Sequence, residues 1–316
     1  MKLTYLFALS LGLSVAHATA GAVNTGNFTG TVWANGVSQA GGWHDANKID
    51  NSDGDADDYM CYAASASNLI AWWQNGGNVN TVPSTTPTEL DDIWQTFLDN
   101  NLDYEEGGDT LASINWWISG VYAPETKEEW NRYFADESRA NLPLTLAPFS
   151  GYYFDQYGLT KTDLEDFLAD VWNIEESEES ASVISLEFTE LFNDGAGISL
   201  AIVSDETEMA HAITLWGAEY VNGNLAKLWL TDSDDYDTTV APYLFSADVK
   251  IAYDDNGVEK IYFVDDALYG EGTYIHSVYA IDSTLSQEWQ LIIPEPTTAT
   301  LSLLALAGLA ARRRRR

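Results

Sequence analysis

An α+β fold, with helices packed on an antiparallel sheet, is what the sequence predicts, and three observations predict it. The first half of the chain carries apolar residues at helical spacing, and the second half carries short β-branched and aromatic runs bounded by turn residues. No long Pro/Gly/Ser-rich linker and no internal repeat separates the two halves. Of 316 residues 46% are hydrophobic and 13% aromatic, enough to bury a large core. The net charge of −35, from 49 Asp and Glu against 14 Lys and Arg, is therefore the surface of a folded protein and not a disordered acidic tail. Such a surface repels phosphate backbones and anionic lipid, which argues against nucleic acid as a partner.

In chain order, residues 1–20 are an address. Basic Lys2, an apolar run from Leu6 to Val15 and the small-residue site Ala18-Thr19-Ala20 spell a secretory signal peptide. Residues 21–42, rich in Gly, Asn and Thr, predict an extended arm or a pair of short strands. Helices are expected over 61–74, 88–100, 127–140, 160–172 and 183–192. In the second, Leu90, Ile93, Trp94, Phe97 and Leu98 share one face. The fourth opens on Thr160 with Asp163 three residues on, a capping pattern, and the last stops at Asn193-Asp194-Gly195. Strands are expected at 198–203, 212–220, 225–231, 249–253, 260–264 and 277–282, with hairpin turns at Asn222-Gly223 and Asn256-Gly257. The adjacent pairs Trp72-Trp73 and Trp116-Trp117 lie in apolar segments and are expected in the core.

Residues 294–316 have three parts: Pro294-Glu295-Pro296, an apolar stretch over 298–311, and Arg312 to Arg316. This tail resembles a PEP-CTERM sorting signal. The apolar stretch of 14 residues makes about 21 Å of helix, short of the roughly 30 Å hydrocarbon core, so it anchors the chain in the inner membrane only transiently. Five arginines keep that end cytoplasmic. The resemblance implies a sorting enzyme as partner in an exopolysaccharide-producing Gram-negative bacterium, and delivery to the cell surface or extracellular matrix. The domain between the two addresses, residues 21–293, loses Lys2 and the five arginines with them and carries a charge near −40.

Chemistry concentrates in two segments of this domain. The chain has one cysteine, so Cys61 forms no intramolecular disulfide and no thiolate metal site. Cys61 stands where an aspartate-rich loop meets a helix rich in Ala and Ser, and a helix N-terminus favours thiolate over thiol. Ala63, Ala64 and Ala66 predict close packing of that helix on a strand. A cysteine nucleophile needs a base, and His44, His211 and His276 are the candidates. His211 opens a strand, and the hairpin at Asn222-Gly223 returns Asp232 and Asp234 near it as direct or diagonal cross-strand neighbours. A carboxylate there fixes the imidazole tautomer and stabilises the imidazolium. His44 is a competing base in a polar loop, and His276, in a late aromatic strand, is read as structural.

The blocks GWHDANK, DDYMCYAASASNLIAWW and HAITLWGAEYVNGNLAKLWLTDSDD resemble the Mac/IdeS-type immunoglobulin-G-degrading cysteine endopeptidases, whose fold is papain-like. The resemblance implies a papain-like peptidase with a helical N-terminal half on an antiparallel sheet. It also implies Cys61 as nucleophile, His211 as general base, Asp232 as triad carboxylate, Asp234 as a supporting acid, and Lys48 in the oxyanion hole with the nucleophile's own N–H. The implied activity is hydrolysis of peptide bonds in an extracellular protein substrate, without cofactor. Two departures stand out. Tyr62 follows the nucleophile where a small residue is expected, and the loop before Cys61 carries Asp50, Asp53, Asp55, Asp57 and Asp58, whose charges oppose thiolate formation unless a cation screens them. Asp53 to Asp58 begin like a calcium loop, but Asp58 occupies the position that an EF-hand gives to Gly, and a solvated acidic loop is the simpler reading. The rival functions are another papain-like acyl transferase or amidase, and a non-catalytic surface or biofilm-matrix binding protein with a relic site.

Overall fold

Helix α1 (Cys61–Asn75) is deeply enclosed, and its residues from Tyr62 to Gln74 are all buried. Its small residues explain how. Strand β3 (Gly197–Ser204) passes so close that a Cβ added at Gly197 would lie 2.6 Å from the Trp72 ring. Helices α2 (Leu90–Asp99) and α3 (Thr110–Ser119) cover other faces of α1. Phe97 lies between Trp116 and Trp117, at 5.2 and 5.7 Å between ring centroids, and Trp73 meets Tyr153 at 5.3 Å. Trp72, Trp73, Trp116 and Trp117 are thus core residues, none more than 2% exposed. The computed structural model describes residues 28–48, 59–76, 82–83, 85–100, 108–120, 151–153, 168–174, 177, 179–204, 210–234, 242–265 and 269–281.

The remaining strands are β1 (Gly30–Trp33), β2 (Leu168–Asn173), β4 (Ala210–Val221), β5 (Asn224–Thr231), β6 (Phe245–Tyr253), β7 (Glu259–Phe263) and β8 (Thr273–Ile281). All pairings among them are antiparallel. The order β4-β3-β8-β7-β6-β5 returns to β4, so six strands close into a barrel, with β7 and β8 joined at Tyr262↔Tyr274. β1 pairs with Gly217 to Tyr220 of β4, beyond the stretch of β4 that β3 occupies, and β2 pairs with β8. Helix α4 (Ala181–Asn193) packs on β7 and against β1, β4 and β5, and its Ser185 carbonyl accepts a hydrogen bond from the Tyr220 hydroxyl. The expectation of helices on an antiparallel sheet therefore stands, with the sheet rolled into a barrel.

Two local expectations change. The helix expected over 160–172 is not helical at its end: Leu168–Asn173 is a strand, in register with β8 from Leu168↔Ile281 to Asn173↔Ser277. A bulge between Asp170 and Trp172 re-aims Trp172 into the core, and the ladder to β8 overrides the local helical periodicity. Helix α3 was not expected, although Asp109 caps it by accepting from the Ala112 N–H at 2.7 Å and Gly120 ends it. Among the described residues of the 21–42 region, the chain forms strand β1 and then a bridge, Ser38↔Gly41, in keeping with the extended arm expected there. The hairpin turn at Asn222-Gly223 has φ of 52° and 79°, the left-handed pair that a two-residue turn requires. The two terminal addresses, the helix expected over 127–140, residues 160–167 and the acidic loop from Asp50 to Asp58 lie outside the described residues. Among the described residues no helix is long and apolar enough to cross a membrane.

Candidate active site

Cys61 is the first residue of α1, and the N-cap residue Met60 has no side chain to offer the helix's free N–H groups. Its sulfur, half-buried, accepts a hydrogen bond from the Ala212 N–H at 3.4 Å, so the thiol faces the start of β4. The neighbouring His211 places Nε2 2.7 Å from Asp232 Oδ1, which leaves Nδ1 as the nitrogen for the thiol. Asp234 approaches the same Nδ1, with Oδ2 3.5 Å from it, and its Oδ1 forms an ion pair with Lys48 Nζ. The Lys48 backbone N–H donates to the Ser233 carbonyl at 3.0 Å. All five residues singled out in the sequence, Cys61, His211, Asp232, Asp234 and Lys48, therefore meet in one cluster where α1, β4 and the end of β5 converge.

The hairpin explains the meeting of His211 with Asp232. Thr214↔Thr231 is the last registered pair of β4 with β5, so His211 lies three residues before it and Asp232 one after, in a diagonal relation. Asp232 Oδ1 also accepts from the Asp234 N–H at 3.0 Å, which tightens the turn and presents the same oxygen to the imidazole. His44 and His276 stand elsewhere. The His44 ring lies 6.3 Å from the Trp216 ring, with burial lowering its pKa, and His276 Nδ1 is paired with Ser277 Oγ at 2.8 Å. Tyr62, the unexpected neighbour of Cys61, is buried in the core.

The electrostatics favour a charged pair. Burial alone would push the Cys61 thiol up, but the hydrogen bond and charge of His211, the Ala212 N–H and the Lys48 charge together outweigh it and hold the thiol below its ordinary value. Burial likewise works against a charged His211, yet Asp232 and the thiolate raise the imidazole well above its ordinary value. Asp232 is pushed up by burial and pulled down further by His211 and the Asp234 N–H, and it remains a carboxylate. Beside it the Tyr269 hydroxyl is held well above the usual phenol range by burial and by the Asp232 charge. Its ring lies 6.5 Å from that of His211. A thiol held toward thiolate, a histidine held toward imidazolium and a carboxylate in sequence can deliver a nucleophile and then a proton, which is acyl-transfer chemistry. His211, Asp232 and Asp234 also present ligand atoms within 4.8 Å of one another, close enough for one cation, but these atoms are already engaged with each other and with Lys48.

Beneath the cluster runs a polar seam that the sequence reading missed. Cys61, Ser65 and Asn68, at i, i+4 and i+7, lie on one face of α1. Ser65 Oγ bonds Ser199 Oγ at 2.9 Å and Thr214 Oγ1 at 3.0 Å. Asn68 Oδ1 accepts from the Ala46 N–H at 2.7 Å. The signal was present: two polar residues in helical step with the cysteine, in a helix otherwise apolar enough to be buried.

No curated protein matches the chain. The family model described as Mac 1 matches residues 22–88, the stretch that holds Lys48 and Cys61 but neither His211 nor the two aspartates, and this family is associated with cysteine endopeptidase activity.

Proposed function

We propose that the chain is an exported cysteine endopeptidase of papain-like design, acting on an extracellular protein. The observation that carries this reading is the linked geometry of thiol, imidazole and carboxylate: the Ala212 N–H 3.4 Å from Cys61 Sγ and His211 Nε2 2.7 Å from Asp232 Oδ1. The Mac 1 match over residues 22–88 supports it independently.

Cys61 thiolate attacks the peptide carbonyl, and the tetrahedral oxyanion is held by the Cys61 N–H and the Lys48 ammonium. His211 Nδ1 gives its proton to the leaving amine and then takes one from the water that hydrolyses the thioester. Asp232 keeps the imidazole oriented through both steps and stabilises the imidazolium present before the first and after the second proton transfer. Asp234 pairs with Lys48 and steers its ammonium, so the lysine stays beside the site despite the acidic surroundings. Export through the signal peptide, processing by a sorting enzyme at 294–316 and release at the surface complete the reading.

Two measurements test it. Fast alkylation of Cys61 by iodoacetamide at neutral pH, lost in His211→Ala, is expected of an activated thiol; a slow, histidine-independent reaction is expected of a relic site in a binding protein. In hydrolysis of labelled casein, with Cys61→Ala as control, Lys48→Ala is expected to lose on the order of 10²–10³ in turnover. Full turnover in that variant would remove Lys48 from the mechanism.

A further inference from the structure

The lysine of the site sits on a segment with no regular secondary structure, and the way that segment is held suggests a further pair of functional residues. Residues 44 to 48 are tethered at every second position, the period of an extended chain. The His44 carbonyl accepts from Thr231 Oγ1 at 2.9 Å, the Ala46 N–H donates to Asn68 Oδ1 at 2.7 Å, and the Lys48 N–H donates to the Ser233 carbonyl at 3.0 Å. On the opposite side Asp45 Oδ2 accepts from the Tyr243 N–H at 3.1 Å. Two of these three tethers, from α1 and β5, come from side chains, so side-chain identity and not a backbone ladder sets where this segment lies.

Both side chains are about 1% exposed and each is itself locked. Asn68 Nδ2 donates to Thr214 Oγ1 at 3.1 Å, and Thr231 Oγ1 accepts from Trp216 Nε1 at 2.8 Å. Asn68 is on the helix that carries the thiol, and Thr231 immediately precedes Asp232. The two residues thus connect the helix of Cys61, the strand of the carboxylate and the segment of the ammonium.

We infer that Asn68 and Thr231 are positioning residues for the oxyanion hole, a buried clamp that fixes Lys48 relative to Cys61. The inference rests on the proposed role of Lys48 and adds to it the residues that deliver that role. A displacement of the order of 1 Å in such a group costs up to about 100-fold in rate, so the clamp carries much of what the lysine contributes.

The test compares two reactions of the same thiol in the full-length protein. With p-nitrophenyl acetate the thiolate adds to the ester carbonyl, and the resulting oxyanion collapses to an acetyl thioester and expels p-nitrophenolate. With iodoacetamide the thiolate displaces iodide and no oxyanion forms. The ratio of the two rates isolates the oxyanion hole from thiol activation. Lys48→Ala, Asn68→Ala and Thr231→Val are each expected to lower the ratio at least 10-fold, and Thr231→Ser to restore it. In a Lys48→Ala background, Asn68→Ala and Thr231→Val are expected to lower it no further. Melting curves confirm that each variant is folded, and Thr231→Val, close to isosteric, serves if Asn68→Ala is not. An unchanged ratio in Lys48→Ala overturns the role of the lysine itself. A lowered ratio there, with an unchanged one in the clamp variants or with losses that simply multiply in the double variants, overturns the clamp and leaves the parent reading standing.

Discussion

Replacing Asp232 by Asn isolates the charge of the proposed triad carboxylate from its geometry. The His211 Nε2–H, at 2.7 Å, and the Asp234 N–H, at 3.0 Å, both point at the same oxygen, Oδ1. An asparagine can present its amide oxygen at that position and keep both bonds, so the substitution removes the negative charge with little else. A hydrogen bond to a charged group contributes about 1.5–3 kcal/mol against about 0.5–1.5 for a neutral one. The difference of roughly 1–2 kcal/mol, at about 1.4 kcal/mol per decade, is on the order of a 5- to 30-fold loss of the thiolate–imidazolium state near neutral pH. The sign follows from the structure: Asp232 raises His211, and His211 lowers Cys61, so without the charge the pair reverts toward neutral imidazole and thiol. The assay is the pH dependence of Cys61 alkylation by iodoacetamide. Asp232→Asn should react more slowly by that factor at neutral pH, and approach the wild-type rate at alkaline pH, where the thiol ionises without help. An unchanged profile would refute the reasoning and show that orientation of the imidazole alone is enough.

Three further outcomes are expected. His211 is raised above 6.5, so its stabilisation is complete below about pH 6.5 and is lost as pH rises through the folded value; Asp232 is lowered from 3.8, so its stabilisation is present above about pH 3.8 and is lost as pH falls through the folded value. The melting-temperature gap between wild type and Asp232→Asn should therefore be widest between those limits and narrow on both sides, and a gap independent of pH would contradict the pair. At Gly217 an added Cβ would lie 2.6 Å from the Trp33 ring, which is itself packed 5.3 Å from Trp229. Gly217→Ala should cost about 1–3 kcal/mol by overpacking, visible as a Tm lowered by several degrees, and an unchanged Tm would show that Trp33 yields freely. The charge near −40 of the domain should steer cationic substrates toward it. The kcat/KM for a lysine-rich peptide over a glutamate-rich one of equal length should fall as salt approaches about 1 M, where the screening length is about 3 Å; a salt-independent ratio would mean that specificity is set only by contacts.

What could be read in the sequence was whatever its local pattern encodes. Helix α1 was legible because its apolar residues repeat at helical spacing and its alanines permit close packing. The β4–β5 hairpin was legible because Asn222-Gly223 adopts the left-handed turn readily, and counting from that turn brought His211 to Asp232. Cys61 was singled out by being alone, and Lys48 by the resemblance of its flanking block to a peptidase family. The strand Leu168–Asn173 was not legible as one. Its local pattern suits a helix, and only the ladder with β8, more than a hundred residues away, makes it extended. Closure of the barrel leaves no local trace for a similar reason, since β3 must pair with β8, from Gly197↔Ile281 to Ser204↔Thr273, across a long stretch of chain. The tethering of residues 44 to 48 is of this kind too: Asn68 and Thr231 are ordinary residues of a helix and a strand until the fold brings them to a segment more than twenty and more than a hundred and eighty residues away. The amino-acid sequence by itself determined which side chains were chemically suited to the site, because reactivity begins with residue type. The tertiary structure alone decided how those side chains are aimed, because orientation comes from hydrogen bonds and packing between elements far apart in the chain.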